Sequence, residues 1–293
     1  MKKKHLKNIL LNLVGFSFLL AAAGWQTGCQ SSSGLVKKGI ELERAGDADG
    51  ALAYYNQAIE SDSTNARAYF KRGSVREKQG HLRGAIKDYS QAIDIQPDFL
   101  EALFRRGEAL ARTGDYNGAV NDFSRVIEKN PNNSTVYLHR GHIWIQTGEH
   151  EKAAADFSKS IQNNPFSPEA HHSRGIARFY IQNFPGAMSD FNRAIELKPD
   201  YAEAYHNRGN LWLQREKYDL AVRDFTNAVS IDPEYAHAYL NRGAALFSRH
   251  DYAQALQDFL KAGELDPACR EKAAPWISEC RAKLKNKIKD SHP

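Results

Sequence analysis

Residues 68–97 read AYFKRGSVREKQGHLRGAIKDYSQAIDIQP, and residues 238–267 read AYLNRGAALFSRHDYAQALQDFLKAGELDP. The same residue types recur between them at one spacing of 34, and the register holds through the intervening chain. A glycine column contains Gly39, Gly73, Gly107, Gly141, Gly175, Gly209 and Gly243. An alanine column contains Ala51, Ala85, Ala119, Ala153, Ala187, Ala221 and Ala255. Four residues after each alanine stands an aromatic: Tyr55, Tyr89, Phe123, Phe157, Phe191, Phe225 and Phe259. Prolines 97, 131, 165, 199, 233 and 267 close six units, and Ser63 takes that place in the first. A fixed period of this length marks a stacked repeat architecture.

Each unit contains two helical patterns. In the second, Ala68, Tyr69, Gly73 and Arg76 lie near one stripe of a first helix, and Ala85, Tyr89 and Ala92 on one stripe of a second. Gly73 and Ala85 let the two axes approach, and the aromatic fills the wedge beside them. Proline then ends the second helix by removing a donor and disfavouring helix just before it. One pair of short helices cannot bury its apolar face, so the pairs must stack.

These columns resemble the tetratricopeptide repeat family over residues 32–269, in seven units: 32–65, 66–99, 100–133, 134–167, 168–201, 202–235 and 236–269. The resemblance implies an all-α, right-handed superhelical solenoid of 34-residue helix-turn-helix units. Residues 270–289 read as a capping helix with the stripe Trp276, Ile277, Cys280, Leu284 and Ile288, started or kinked at Pro275, and residues 290–293 as a tail. One turn column departs from the pattern. Gly46, Gly80, Gly114 and Gly148 give way to Gln182, Glu216 and His250. Where that position needs positive φ, each replacement costs about 1 kcal/mol, so these turns are expected to be looser or differently shaped.

Arginine precedes the glycine in six units (Arg72, Arg106, Arg140, Arg174, Arg208, Arg242), and aspartate precedes the aromatic in the same six (Asp88, Asp122, Asp156, Asp190, Asp224, Asp258). The first unit lacks both, with Lys38 and Tyr54. Joint presence and joint absence imply that the columns pair within each unit, as partly buried ion pairs holding the two helices in register.

In the family, the face of the first helix turned away from its partner lines a concave groove. By spacing, that face carries Phe70, Phe104, Leu138, Ile145, Phe179, Tyr180, Leu213, Leu240 and Phe247, with His142, His172, His206, His237 and Asn210. A residue here either reaches a ligand or packs between neighbouring helices, and spacing does not separate the two. Apolar and aromatic with His and Asn, the surface suits an extended peptide or a partner helix. Few lysines lie on it, so it does not suit a strongly acidic ligand. The Lys/Asn/Arg clamp of chaperone-binding relatives finds its closest match in His206, Asn210 and Asn241, which lacks the lysine. His172 and His206 occupy equivalent places in adjacent units, and a metal there would need further converging ligands. They read as polar groove residues; no metal and no cofactor is expected, and metal or ligand binding by the groove histidines is the minor alternative. Eleven residues of unbroken helix hold Cys269 and Cys280 about 16 Å apart, so a disulfide between them requires a break at Pro275. No nucleophile elbow, zinc-protease helix or phosphate loop is present, which points to a non-enzymatic scaffold.

The beginning of the chain addresses location. MKKKHLKN is basic, and ILLNLVGFSFLLAAAGW is a short apolar run, together the pattern of a secretory signal over residues 1–28. Ala21 and Ala23 form one cleavage site. Thr27-Gly28-Cys29 resembles the end of a bacterial lipobox, which implies a diacylglycerol thioether on Cys29 and a flexible tether over residues 29–34. Gln26 departs from that pattern, leaving an unlipidated secreted or periplasmic protein, or an uncleaved anchor, as alternatives. Gln30 after the cysteine leans, by analogy, towards the outer membrane facing the periplasm. Without the four leader lysines, 36 basic residues face 35 acidic ones, too even a balance to gather nucleic acid. The basic tail with Arg281, Lys283, Lys285, Lys287 and Lys289 reads as a solvated helix end. Taken together, the chain resembles tetratricopeptide lipoproteins of the bacterial envelope that assist assembly of secretins, pili or the peptidoglycan machinery, with proteins or peptides as partners.

Overall fold

The computed structural model describes residues 31–291, with side chains through Asn286. The leader, Cys29 and the side chain of Ile288 lie outside the described residues. The chain divides after Thr113 into two compact units. The first contains α1 (Ser32–Arg44), α2 (Ala48–Ser61), α3 (Ala66–Lys78), α4 (Leu82–Ile95) and α5 (Leu100–Arg112). The second contains α6 (Tyr116–Lys129), α7 (Ser134–Gln146), α8 (His150–Asn163), α9 (Pro168–Tyr180), α10 (Phe184–Leu197), α11 (Ala202–Gln214), α12 (Tyr218–Ile231), α13 (Ala236–Ser248), α14 (Tyr252–Leu265) and α15 (Pro267–Ser291). Among the described residues every regular element is a helix. Within each unit, successive helices pack as first and second members of pairs, and pairs pack on their neighbours.

Local chemistry sets the boundaries. Asp47, Asn65, Asp115, Asn133, Ser167 and Asn183 accept hydrogen bonds from backbone N–H groups of the first turn that lack helical partners. At the other end, the residue before each unit-closing proline leaves the helical conformation, as with Gln96 (φ −128°) and Asp232 (φ −122°).

The aromatic column is the core. Tyr55, Tyr89, Phe123, Phe157, Phe191, Phe225 and Phe259 are fully buried or nearly so. Gly39, Gly73, Gly141, Gly175, Gly209 and Gly243 each lie against the ring of their own pair: a Cβ added at Gly141 would stand 2.6 Å from the Phe157 ring, and one at Gly209 2.7 Å from Phe225. No side chain fits in that gap, which is why the column is glycine.

The Arg and Asp columns pair as their joint presence implied. Arg140 donates from Nε and Nη2 to the two carboxylate oxygens of Asp156, both at 2.8 Å. Arg72–Asp88, Arg174–Asp190, Arg208–Asp224 and Arg242–Asp258 repeat this two-point geometry. Arg106 lies in the first compact unit and Asp122 in the second. Each of the paired arginines also reaches back to the second helix of the preceding repeat, where Nη1 donates to Asn56, Ser124, Ser158, Asn192 or Thr226. Arg106 reaches Ser90 in the same way. One guanidinium therefore ties three helices. Burial pushes the Asp190 carboxyl up, but the neighbouring His171 ring and the hydrogen bonds and charges of Arg174 and Arg178 outweigh it and hold its pKa below the usual range.

Two expectations are corrected. The Gln182, Glu216 and His250 turns do not change shape: their φ values of 60°, 57° and 68° repeat the left-handed conformation of Gly46, Gly80, Gly114 and Gly148. The same two hydrogen bonds close them, as in Gln182 N to Phe179 O at 3.0 Å and Asn183 N to Arg178 O at 2.8 Å. The surrounding repeat imposes the geometry, and the side chain is strained into it. The cap also differs from its predicted span of 270–289. Helix α15 starts at Pro267, a favoured first-turn residue, and passes unbroken through Pro275. Pro275 and Glu271, whose carbonyl loses its donor, are both exposed, so water takes that acceptor. Ala273 and Cys280 of α15 pack with Leu246, Ala255 and Phe259, covering the last pair, while Trp276 rests edge-on against Phe247 and stays 39% exposed.

Two stability outcomes follow. Asp156→Ala strands Arg140 and the Trp144 Nε1 donor, and is expected to cost about 3 kcal/mol in urea unfolding. The control Asp219→Ala, which removes an 85% exposed carboxylate from its ion pair with Arg249, should cost less than about 1 kcal/mol. Equal losses would refute a locking role for the buried pair. Gln182→Gly should stabilise by about 0.5–1 kcal/mol, because relief of the left-handed strain exceeds glycine's added chain entropy. A lower melting temperature for Gln182→Gly would show that the turn carries no strain.

Candidate functional site

The predicted face resolves into columns that behave differently. Phe70, Phe104, Leu138, His172, His206 and Leu240 are the fifth residues of α3, α5, α7, α9, α11 and α13. Phe70, His172 and His206 are buried, and the structure corrects their placement on an open surface. The ring of Phe70 packs on Tyr89 and Phe99, that of His172 on Phe191 and Tyr201, and that of His206 on Phe225 and Tyr235. The helix positions this column over the aromatic core and under the residue that opens the next repeat, so it fills the seam between repeats. Phe104, Leu138 and Leu240 are half-buried.

The histidines form a polar ladder along that seam. His172 Nδ1 lies 3.1 Å from Tyr201 Oη, and its Nε2 lies 2.9 Å from Asn207 Nδ2. His206 repeats the arrangement with Tyr235 and Asn241, both at 3.1 Å. With the amide nitrogen donating to Nε2, the neutral ring keeps its proton on Nδ1 and gives it to the tyrosine oxygen. Both nitrogens of each ring are therefore engaged, and neither histidine presents a lone pair to a metal. His142 continues the ladder to Ser173 at 2.9 Å. Asn241 also donates to Asn210 Oδ1 at 2.8 Å, so the three residues set against the chaperone clamp do converge, but on one another. Burial lowers His172 and His206 to about 4 and raises Tyr201 and Tyr235 to about 12.

The open part of the face lies one to two turns further along. Ile145, Phe179, Leu213 and Phe247 are the twelfth residues of α7, α9, α11 and α13 and are half-buried. Between α9 and α11, Phe179 alone of these four lines a pocket of about 240 Å³, together with Ile176, Tyr180, Phe191, Asn207 and Asn210. Tyr180 is 57% exposed and held in place by stacking on His150 at 4.4 Å and by the edge of Phe179. The pocket thus has rigid apolar walls and two carboxamides, the donor and acceptor set that reads a peptide backbone. Ile176 and Asn207 were not anticipated. Ile176 is one turn before Phe179, and Asn207 precedes Arg208, where the eye follows the ion-pair column.

In the first two repeats the twelfth position is acidic instead. Glu43 accepts from Tyr55 Oη at 3.1 Å, and buried Glu77 from Tyr89 Oη at 2.7 Å and from Arg105 at 3.0 Å. Tyrosine in the aromatic column accompanies glutamate here, and phenylalanine accompanies an uncharged residue in the later repeats, a coupling legible in the sequence but missed. The apolar groove residues are accordingly concentrated in the second compact unit. Cys269 and Cys280 are free, buried in different clusters, and kept apart by the unbroken α15.

Tandem pairs of helices joined by tight turns, with a pocketed face on the first helices, define a helical-repeat protein. The chain belongs to the tetratricopeptide repeat family: models described as Tetratricopeptide repeat match residues 36–98, 70–122, 104–168 and 202–235, and one described as TPR repeat matches 177–214. A tetratricopeptide repeat protein from Parabacteroides merdae is similar over 86% of this chain and 99% of its own, at 22% identity and a TM-score of 0.63. YrrB, described as a TPR protein with an unusual peptide-binding site, is similar over 63% of this chain and 95% of its own, at 21% identity and a TM-score of 0.58. PilF of Pseudomonas aeruginosa is similar over 69% and 92%, at 17% identity and a TM-score of 0.58. No curated protein matches the chain significantly. At these identities the likeness is one of fold.

The ladder has a pH signature. An unfolded imidazole titrates near pH 6.5 and these two near pH 4, so between those values the unfolded chain binds protons that the folded chain refuses. Their stabilisation is complete above about pH 6.5 and is lost as pH falls towards 4, by up to roughly 3 kcal/mol per ring. Melting temperatures of wild type and His172→Gln/His206→Gln should therefore converge as pH falls from 7 to 4. Parallel curves would show that the rings titrate normally.

Proposed function

We propose that the protein is a non-enzymatic scaffold that docks a protein or peptide partner through the first-helix face of its second compact unit. The carrying observation is the pocket between α9 and α11, where Ile176, Phe179 and Tyr180 stand opposite Asn207 and Asn210. Apolar walls take a side chain of the partner, and the carboxamides take its backbone N–H and C=O groups. Asn210 accepts from Asn241 through its oxygen, so what it offers a ligand in the pocket is its N–H donors. The peptide-binding site in YrrB's description supports peptide as the ligand class, by analogy of fold.

We further propose that the scaffold works at the bacterial cell envelope, tethered by lipid on Cys29, where it assists assembly of an envelope complex. This rests on the basic start, the apolar run and Gly28-Cys29 with its Ser-rich tether. Among the described residues no helix is long and apolar enough to cross a membrane. An unlipidated secreted or periplasmic adaptor is the second reading, favoured by Gln26.

A photocrosslinking residue in place of Tyr180 should give a discrete adduct in cells, weakened by Asn207→Ala/Asn210→Ala, whereas one in place of exposed Lys159 should not. Equal labelling from both places would sink the docking face. Labelling with palmitate analogues should mark wild type and spare Cys29→Ala; an unlabelled wild type would end the lipoprotein reading while leaving the groove untouched.

A further inference from the structure

Where the cap meets the last repeat, three side chains of different chemistry converge. His237 is the second residue of α13, Asp266 is the cap between α14 and α15, and Cys269 lies in the first turn of α15. One ligand atom from each, an imidazole nitrogen, a carboxylate oxygen and the sulfur, all lie within 4.8 Å of one another. We propose that His237, Asp266 and Cys269 form a zinc site that clips the capping helix to the last repeat, with water completing the shell.

The donor set is that of zinc rather than magnesium or calcium: one soft sulfur, one imidazole nitrogen and one carboxylate oxygen. Asp266 is already oriented. Its Oδ1 accepts from Ala268 N at 2.9 Å, and its Oδ2 lies 3.4 Å from Cys269 Sγ, which donates its weak hydrogen bond there. The sulfur is buried among Ala236, Ala262 and Leu265, so the direction left to it is towards that carboxylate. Tetrahedral zinc, with bonds of about 2.0–2.3 Å, brings its ligand atoms to about 3.5 Å from one another. Closing the set requires a shift of about 1 Å, and the exposed His237 ring can supply it by rotation. The dication replaces the Cys269 thiol proton, which passes to solvent; no electron moves. Thiolate and carboxylate together balance its charge, and Lys272, whose positive charge acts on both groups in its absence, points along the exposed side of α15. The site joins the first turn of α13 to that of α15, elements that pack on each other only sparsely, so a metal there adds a link where protein contacts are few.

The full-length chain, purified in detergent and stripped with a chelator, would be titrated with Co²⁺ and with Zn²⁺. Expected are one equivalent of Co²⁺ with thiolate-to-metal charge-transfer absorption, and a melting temperature raised by Zn²⁺. Cys269→Ser should abolish the charge-transfer band, and Cys280→Ser should keep it. His237→Ala changes an exposed residue and leaves the fold intact. It should weaken binding more than tenfold, since losing even a residue behind a metal ligand costs about 10–100-fold. Absence of the band in wild type, its persistence in Cys269→Ser, or unchanged affinity in His237→Ala would each overturn the site.

Discussion

The contact of a buried aromatic ring with a glycine backbone is the constraint from which the rest of the structure follows. In the pairs that lie within one compact unit the ring of the second helix lies where the first helix has no Cβ, and a methyl added at Gly141 or Gly175 would stand 2.6 Å from it. That distance fixes how closely the two helices approach, and with it the height of every other side chain on them. The alanines at the same level, Ala153 and Ala187, are fully buried for the same reason. Arginine and aspartate then set rotation. With two hydrogen bonds forward and one backward, the guanidinium links its own pair to the preceding one, and its planar fork admits little slippage.

The candidate site is built on what this framework leaves unused. The fifth position of the first helix is consumed by the seam between repeats, so His172 and His206 spend both ring nitrogens on Tyr201, Asn207, Tyr235 and Asn241. Residues about one turn or more further on face outward, and there the framework imposes only size. Phe179, Tyr180 and Ile176 occupy that freedom between α9 and α11, whereas Glu43 and Glu77 take the corresponding freedom in the first compact unit to satisfy tyrosine hydroxyls. A single-atom difference in the core column, tyrosine against phenylalanine, thus accompanies a change in the chemistry of the face.

The turns illustrate how the framework overrides local preference. Glutamine, glutamate and histidine resist the left-handed conformation, yet Gln182, Glu216 and His250 adopt it with the hydrogen bonds of their glycine counterparts. The cost of about 1 kcal/mol per turn is small against the packing that two misdirected helices would lose. Pro275 makes the same point in α15: a residue that ends helices in isolation is carried through because its exposed side lets water take the freed carbonyl.

By itself the sequence determined the helical pairs, their period, the core column and the Arg–Asp pairing, because these repeat and repetition exposes them without any knowledge of distance. It could not tell which residues on that face are consumed by the neighbouring repeat, since this depends on how deeply each turn sinks into the seam. Phe70, His172 and His206 read like Phe179 and Asn210 until their rings are seen to be covered. Nor could it bring His237, Asp266 and Cys269 together, because His237 and Cys269 have no like residue at their places in the other repeats and the three meet only where α15 folds back beside α13. What recurs with the period was legible; what depends on where one element ends and another crosses it was decided by tertiary packing alone.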